Sequence, residues 1–160
     1  MAISVGDKIP DVTLTVLTDE GIMPVQSGEV LGSGKVVLVG VPGAFTPTCS
    51  DYHLPGFVLR ADDLKAKGVD TIACVSVNDA FVMGAWGRVQ GAEGKVVMLA
   101  DGNGEFTAQM DLEFDLSVLG LGTRTRRYAA IIEDGVITDI AVEEGRGVEI
   151  SAVDKVLAKL

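Results

Sequence analysis

The chain has 160 residues, of which 48% are hydrophobic and 22% charged, and its formal net charge is −10. This length suits a single domain spanning residues 1–160. The acidic balance, without a basic stripe, argues against nucleic acid as a partner and against binding to anionic membranes. The sequence also lacks a recognisable signal peptide and an apolar run of roughly 20 residues, so we expect a cytoplasmic protein.

Strand-like and helix-like segments alternate along the chain. Residues 1–30 are typical of a short β-rich opening with a turn near 19–21. The pattern after it predicts, in order, strand 36–40, helix 50–67, strand 70–77, helix 79–89, strand 95–100, strands 128–133 and 136–142, and helix 151–160. The Asp134-Gly135 pair is a strong hairpin signal. We therefore predict an α/β domain with a mixed central β-sheet flanked by helices.

Two of the predicted helices carry local signals. Pro55 lies near the second turn of the first helix and should kink it, and Gly68 is well placed to end it. The last helix begins with Ser151 and Asp154, a weak form of the capping box.

Cys49 is the most informative residue of the chain. It lies in segment 42–50 (PGAFTPTCS), just past a buried strand and in the first turn of a helix. The unpaired N–H groups and the positive dipole end there favour a thiolate. Thr46 stands where a Cys-x-x-Cys motif would have its first cysteine, and its hydroxyl can accept a hydrogen bond from a substrate or donate one to the thiolate. A lone activated thiolate suits attack on a peroxide, which gives sulfenic acid.

A thiolate in so acidic a protein needs a local positive partner. Arg124, Arg126 and Arg127 stand immediately before a predicted strand. Any one of them could reach Cys49 and polarise the substrate, whereas a solvated loop end is the simpler interpretation without further information.

Other conspicuous residues have plainer interpretations. His53 follows Cys49 by four positions, but a hydrolase pair would need an orienting third group, so we interpret it as a structural or interface histidine. Cys74 lies in a predicted buried strand and is interpreted as a small core residue. One histidine and two separated cysteines predict no metal site. Trp86 and Phe81 fit the core or a dimer surface equally well. A solvated face is the interpretation for the acidic residues Glu133, Asp134, Glu143, Glu144 and Glu149.

The spacing Pro42-x-x-x-Thr46-x-x-Cys49 resembles the active-site motif of peroxiredoxins. The longer stretch 41–50, together with 53–57 (HLPGF), is similar to the type II, Prx5-like subfamily. Further matches lie at 74–82, 86–87, 99–101 and 127–128, so the resemblance spans most of the chain.

The resemblance implies a thioredoxin-like fold and a role for each matching residue. Cys49 would be the peroxidatic cysteine, Thr46 would hydrogen-bond the peroxide, and Pro42 would shield the thiolate from water. Arg127 would be the family's active-site arginine, with the other two arginines as alternatives. Type II members are typically homodimers, so we expect one here.

Some relatives of this subfamily carry a resolving cysteine in the C-terminal segment. Residues 134–160 contain none, and Ile150 lies near its expected place. We therefore expect an enzyme without a bound cofactor that reduces hydrogen peroxide and alkyl hydroperoxides and is recycled by an external thiol. Glutathione with glutaredoxin is the favoured reductant and thioredoxin the other candidate. The alternative function is a redox-sensing thioredoxin-fold binding protein that signals through oxidation of Cys49.

Overall fold

The computed structural model describes residues 2–145 and 147–160. Its strands, in chain order, are β1 Thr13–Thr18, β2 Gly21–Gln26, β3 Lys35–Gly40, β4 Thr71–Ser76, β5 Val97–Ala100, β6 Glu113–Asp115, β7 Thr123–Thr125, β8 Tyr128–Glu133 and β9 Val136–Val142. Its helices are α1 Ser27–Val30, α2 Leu54–Leu59, α3 Ala61–Ala66, α4 Ala80–Val89, α5 Glu105–Gln109 and α6 Val153–Leu157. A π-helical turn, Cys49–His53, precedes α2, and a 3₁₀ turn, Ser117–Leu119, precedes β7.

Seven strands form one mixed sheet in the order β2-β1-β5-β4-β3-β8-β9, and β6 pairs with β7 in a separate ribbon. Strands β3, β4 and β5 run parallel, while β8 joins β3 and β9 antiparallel. The predicted hairpin at Asp134-Gly135 is confirmed, since both residues adopt the positive φ angles, 49° and 82°, of a tight primed turn. The predicted mixed sheet flanked by helices is also confirmed.

The alternation of side chains along β3 divides the core between the two faces of the sheet. Val37 and Val39 point to one face, and Val36 and Leu38 to the other. The large side chains of the first face include Phe57, Leu64, Met83 and Trp86, which come from α2, α3 and α4; those of the second include Leu14, Phe106, Met110, Tyr128 and Ile137. Burying each large apolar side chain contributes about 1.5–3 kcal/mol, so both faces stabilise the sheet that carries the site.

The predicted long first helix is wrong in its continuity, because the segment is divided into the π turn, α2 and α3. Pro55 has no N–H to donate to the carbonyl of Asp51. The backbone widens before it, and the N–H of Leu54 donates to the carbonyl of Cys49, the i−5 bond of a π turn. Arg60, with φ −101° and ψ 17°, separates α2 from α3.

The last helix is shorter than predicted, and its start is different. Ala152 is the N-cap residue and makes no side-chain capping bond, while the Ser151 hydroxyl donates to Glu143 instead. Strand β5 starts two residues later than predicted because the N–H of Lys95 closes a turn onto Ala92. Four short elements are not among the predicted ones, because three to five residues are too few to show a periodicity: α1, α5, β6 and β7.

The pairing of β3 with β8 builds the site. Gly40, the last residue of β3, lies opposite Tyr128, the first residue of β8. A Cβ atom at Gly40 would lie 2.1 Å from a ring carbon of Tyr128, so only glycine fits this position. The register brings Arg127, which precedes β8, next to the loop that follows β3 and leads to Cys49.

Candidate active site

Cys49 and Arg127 form a buried contact at the end of the sheet. Cys49 begins the π turn and has no exposed surface, and Arg127 is 2% exposed. Nη2 of Arg127 donates to Sγ of Cys49 over 3.1 Å. The guanidinium supplies the positive partner next to the sulfur that the acidic composition of the chain otherwise lacks.

The other two arginines of the segment serve different contacts. The guanidinium of Arg126 lies 5.1 Å from the ring centroid of Phe114, at a distance typical of a cation–π contact. Arg124 ties three loops together through hydrogen bonds to backbone carbonyls. These are the carbonyls of Leu121 at 2.8 Å, Val77 at 3.1 Å and Pro42 at 3.4 Å. Among the three candidates, the structure brings Arg127 to the thiol.

Thr46 and Pro42 lie in the loop between β3 and the π turn. Oγ1 of Thr46 donates to the carbonyl of Gly43 over 2.6 Å. Because its proton is committed there, the hydroxyl oxygen is an acceptor toward any other group. Phe45 has a φ angle of 64°, a strained conformation for a bulky residue that is typical of functional loops.

A pocket of about 460 Å³ has Arg127 in its lining. Because Arg127 also contacts the thiol, the pocket adjoins the site, although Cys49 itself is buried behind the lining. Most of the lining residues are apolar. The residues around it are Pro42, Thr46, Pro47, Thr48, Leu116, Leu119, Leu121, Arg127 and Gly147.

His53 stands behind Arg127 in the buried site. Nη1 of Arg127 donates to Nδ1 of His53 over 3.0 Å, because a guanidinium has no acceptor. The proton of the neutral ring therefore lies on Nε2, which donates to the carbonyl of Ser151 over 3.0 Å. Burial, and then the charge of Arg127, lowers the pKa of His53 to about 3. A ring whose Nδ1 is occupied by Arg127 orients that arginine and does not act as a base toward Cys49.

Comparison with known proteins identifies the family. The Redoxin family model matches residues 4–157. The chain is 47% identical to peroxiredoxin-2E, chloroplastic, of Arabidopsis thaliana, covering 99% of this chain and 70% of that protein. It is 46% identical to peroxiredoxin-2B of the same plant, covering 99% and 98%. The crystal structure of reduced Prx3 from Vibrio vulnificus in complex with H₂O₂ has a TM-score of 0.93 and 50% identity, covering 98% of each chain.

This chain belongs to the peroxiredoxin family. It is a thiol-dependent peroxidase, an oxidoreductase, and the predicted family and thioredoxin-like fold are both confirmed.

The second cysteine of this peroxiredoxin is Cys74 on β4. It is fully buried in the same core cluster as Cys49, and both thiols are free. Burial, reinforced by the neighbouring Cys49, raises the pKa of Cys74. This position fits the predicted role of a small core residue.

Two properties of the described chain bear on cofactors and membranes. Within residues 2–145 and 147–160, no group of three or more His, Cys, Asp or Glu side chains is arranged to hold a metal ion. Over the same residues, no helix has the length and apolar character needed to cross a membrane.

Two residues around the site make contacts that the sequence alone did not indicate. The interpretation of Glu143 as part of a solvated face is wrong, because it is 5% exposed and its carboxylate accepts hydrogen bonds from Ser151 and Glu149. For His53, the four-residue spacing from Cys49 was the available signal. Trp86 is a core residue whose Nε1 donates to Ser50 over 3.0 Å, whereas Phe81 is 61% exposed.

Proposed function

We propose that Cys49 is the attacking thiolate in the reduction of hydrogen peroxide and small alkyl hydroperoxides. The observation that carries the proposal is the 3.1 Å contact from Nη2 of Arg127 to Sγ of Cys49 in a buried site. The sulfur attacks the terminal oxygen of the peroxide and the O–O bond breaks. Cys49 becomes a sulfenic acid, and the leaving oxygen takes up a proton as water or an alcohol.

The positions of Arg127, Thr46 and Pro42 support a role for each of them. Arg127 holds the thiolate and stabilises the charge that develops on the leaving oxygen, because its guanidinium is already oriented before the substrate arrives. The Thr46 oxygen, which donates its proton to Gly43, accepts the O–H of the incoming peroxide. Pro42 lines the pocket with an apolar ring and no N–H, so it shields the sulfur from water.

The apolar lining supports alkyl hydroperoxides as substrates beside hydrogen peroxide. Leu116, Leu119 and Leu121 line a pocket of about 460 Å³, much larger than hydrogen peroxide alone requires. An alkyl group in contact with these side chains gains about 0.8 kcal/mol for each buried methylene.

An external thiol then restores Cys49. It attacks the sulfenic acid, releases water and leaves a mixed disulfide, which a second thiol reduces. Cys74 is fully buried on a strand and burial raises its pKa, and neither property suits a resolving thiol. We favour glutathione with glutaredoxin as the reductant, with thioredoxin as the other candidate, and we expect no bound cofactor in the cycle.

The assembly and location of the protein belong to the same proposal. Phe81, 61% exposed on α4, supports a homodimer, because aromatic residues are enriched at interfaces. A cytoplasmic location suits an enzyme that needs a reducing thiol pool. Sedimentation velocity of the wild type against Phe81→Asp tests the dimer.

The deciding experiment is the intact mass of the reduced protein after one equivalent of hydrogen peroxide, with Cys49→Ser as the control. A gain of one oxygen that glutathione converts to an adduct, absent in the control, supports the proposal. A loss of two hydrogens would assign resolution to Cys74 and point to thioredoxin. An unchanged mass would overturn the assignment of Cys49.

A further inference from the structure

Glu143 lies immediately after β9 with its carboxylate turned into the protein. Its Oε2 accepts three hydrogen bonds from the following turn. The donors are the N–H of Glu149 at 2.7 Å, the N–H of Ser151 at 2.9 Å and the hydroxyl of Ser151 at 2.7 Å. Glu143 is only 5% exposed, and its carboxylate accepts three hydrogen bonds. These bonds fix the backbone of the turn that precedes α6.

Glu143 remains a carboxylate in this setting. Burial acts to raise its pKa, but hydrogen bonds from Ser151, Glu149 and Ile150 outweigh burial, and the pKa of Glu143 is lowered overall. The bonds to the turn are therefore charge-assisted and stronger than those a neutral acceptor would make.

Glu143 closes a ring of hydrogen bonds that contains Arg127. Its own N–H donates to the carbonyl of Arg127 over 2.9 Å. The other half of the ring runs through the side chains. The carboxylate of Glu143 accepts from the N–H of Ser151, and the carbonyl of Ser151 accepts from Nε2 of His53. Nδ1 of His53 in turn accepts from Nη1 of Arg127. Both the backbone and the guanidinium of Arg127 are thus tied to one residue of the C-terminal segment.

The geometry of this ring decides which way the guanidinium faces. A carbonyl held at Ser151 requires the proton of His53 on Nε2, and that tautomer leaves Nδ1 as an acceptor for Nη1. With Nη1 engaged by His53, Nη2 is directed at Sγ of Cys49.

We propose that Glu143 is a positioning residue for the peroxidase reaction, holding the guanidinium of Arg127 against Cys49 through Ser151 and His53. The inference rests on the proposed roles of Cys49 and Arg127. It extends the machinery of the reaction to a carboxylate that touches neither the thiol nor the pocket.

The test compares Glu143→Ala, Glu143→Gln and the matched control Glu144→Ala, which removes a charge from the exposed neighbour of Glu143. Two quantities are measured: the Cys49 thiolate signal at 240 nm across pH 4–8, taken as the difference from Cys49→Ser, and the rate constant with hydrogen peroxide. For Glu143→Ala we expect a smaller thiolate signal at pH 6 and a rate lower by about tenfold. Glu143→Gln keeps an oxygen acceptor but loses the charge, so its rate should fall by about threefold, less than for Glu143→Ala, and the control should match the wild type.

The same measurements in a His53→Ala background distinguish positioning of the Arg127 guanidinium from a general destabilisation of the fold. Because Glu143 acts through His53, Glu143→Ala should add less than about twofold there. A full additional tenfold loss in that background would overturn the proposal, as would a folded Glu143→Ala or Glu143→Gln protein with thiolate signal and rate both unchanged. If Glu143→Ala does not fold, Glu143→Gln carries the test. Absence of a Cys49 thiolate signal in the wild type would instead refute the proposed function itself.

Discussion

Replacing Arg127 by glutamine removes the positive charge from the neighbourhood of Cys49 while keeping a polar side chain. Nη2 and Sγ are 3.1 Å apart, and both residues are buried. Two unit charges about 4 Å apart interact by about 4 kcal/mol at an effective dielectric constant of about 20. An energy of this size corresponds to a factor of about a thousand in a rate or equilibrium constant. We expect the rate constant of Arg127→Gln with hydrogen peroxide to fall by about this factor at neutral pH.

Trp86 provides the assay for this variant. It is the only tryptophan of the chain, and its indole Nε1 donates to Ser50, the neighbour of Cys49, over 3.0 Å. Stopped-flow fluorescence after mixing with hydrogen peroxide should therefore follow oxidation of Cys49. Arg126→Gln is the matched control, since it removes the same charge from the adjacent position, and it should react like the wild type. A rate for Arg127→Gln within threefold of the wild type would refute the electrostatic reasoning.

Four further predictions test other parts of the structure. Thr46→Val should lower the peroxide rate about a hundredfold and Thr46→Ser far less, since the loss comes from the missing acceptor; equal rates for the two would contradict its role. Gly40→Ala should destabilise the protein in urea by about 1–3 kcal/mol or more, because the new methyl meets Tyr128; an unchanged midpoint would refute the packing argument. Cys74→Ser should turn over at the wild-type rate, and loss of steady-state turnover alone would show that Cys74 resolves Cys49. Because folding lowers the pKa of His53 from 6.5 to about 3, its contribution to stability is complete above pH 6.5 and lost as the pH falls toward 3. The free energy of unfolding of the wild type, measured in urea, should fall by up to about 1.4 kcal/mol per pH unit between pH 6 and 5. If the free energy of unfolding of His53→Gln fell with pH just as steeply, this histidine would be excluded as the cause.

Local patterns predicted the parts of this fold that depend on neighbouring residues. The buried run of β3, the Asp134-Gly135 hairpin and the placement of Cys49 after a strand are all visible within a few residues. The division of the first helix at Arg60 was not predictable in this way. The apolar spacing of α2 continues into α3, so periodicity alone favours one helix.

The candidate site depended on a long-range register that no local pattern contains. Three arginines lie within residues 124–127, and the sequence alone does not show which of them contacts Cys49. The antiparallel pairing of Gly40 with Tyr128 places Arg127 next to the thiol. The resemblance to a family supplied that choice before the structure did. Glu143 was misinterpreted because a carboxylate is usually solvated. Its burial results from a turn whose backbone donors come from six to eight residues further along.

The hydrogen bonds of the site also determine when an emerging chain acquires its reactive thiol. Cys49 and Arg127 are 78 positions apart, and His53 and Ser151 are 98 apart. Contacts of such separation close only after most of the intervening chain has been ordered. Until β8 has joined β3, Cys49 lacks its cation and reacts as an ordinary thiol. The oxidant-sensitive state is therefore reserved for molecules that have completed folding, and a stalled or truncated chain is spared early oxidation at this position.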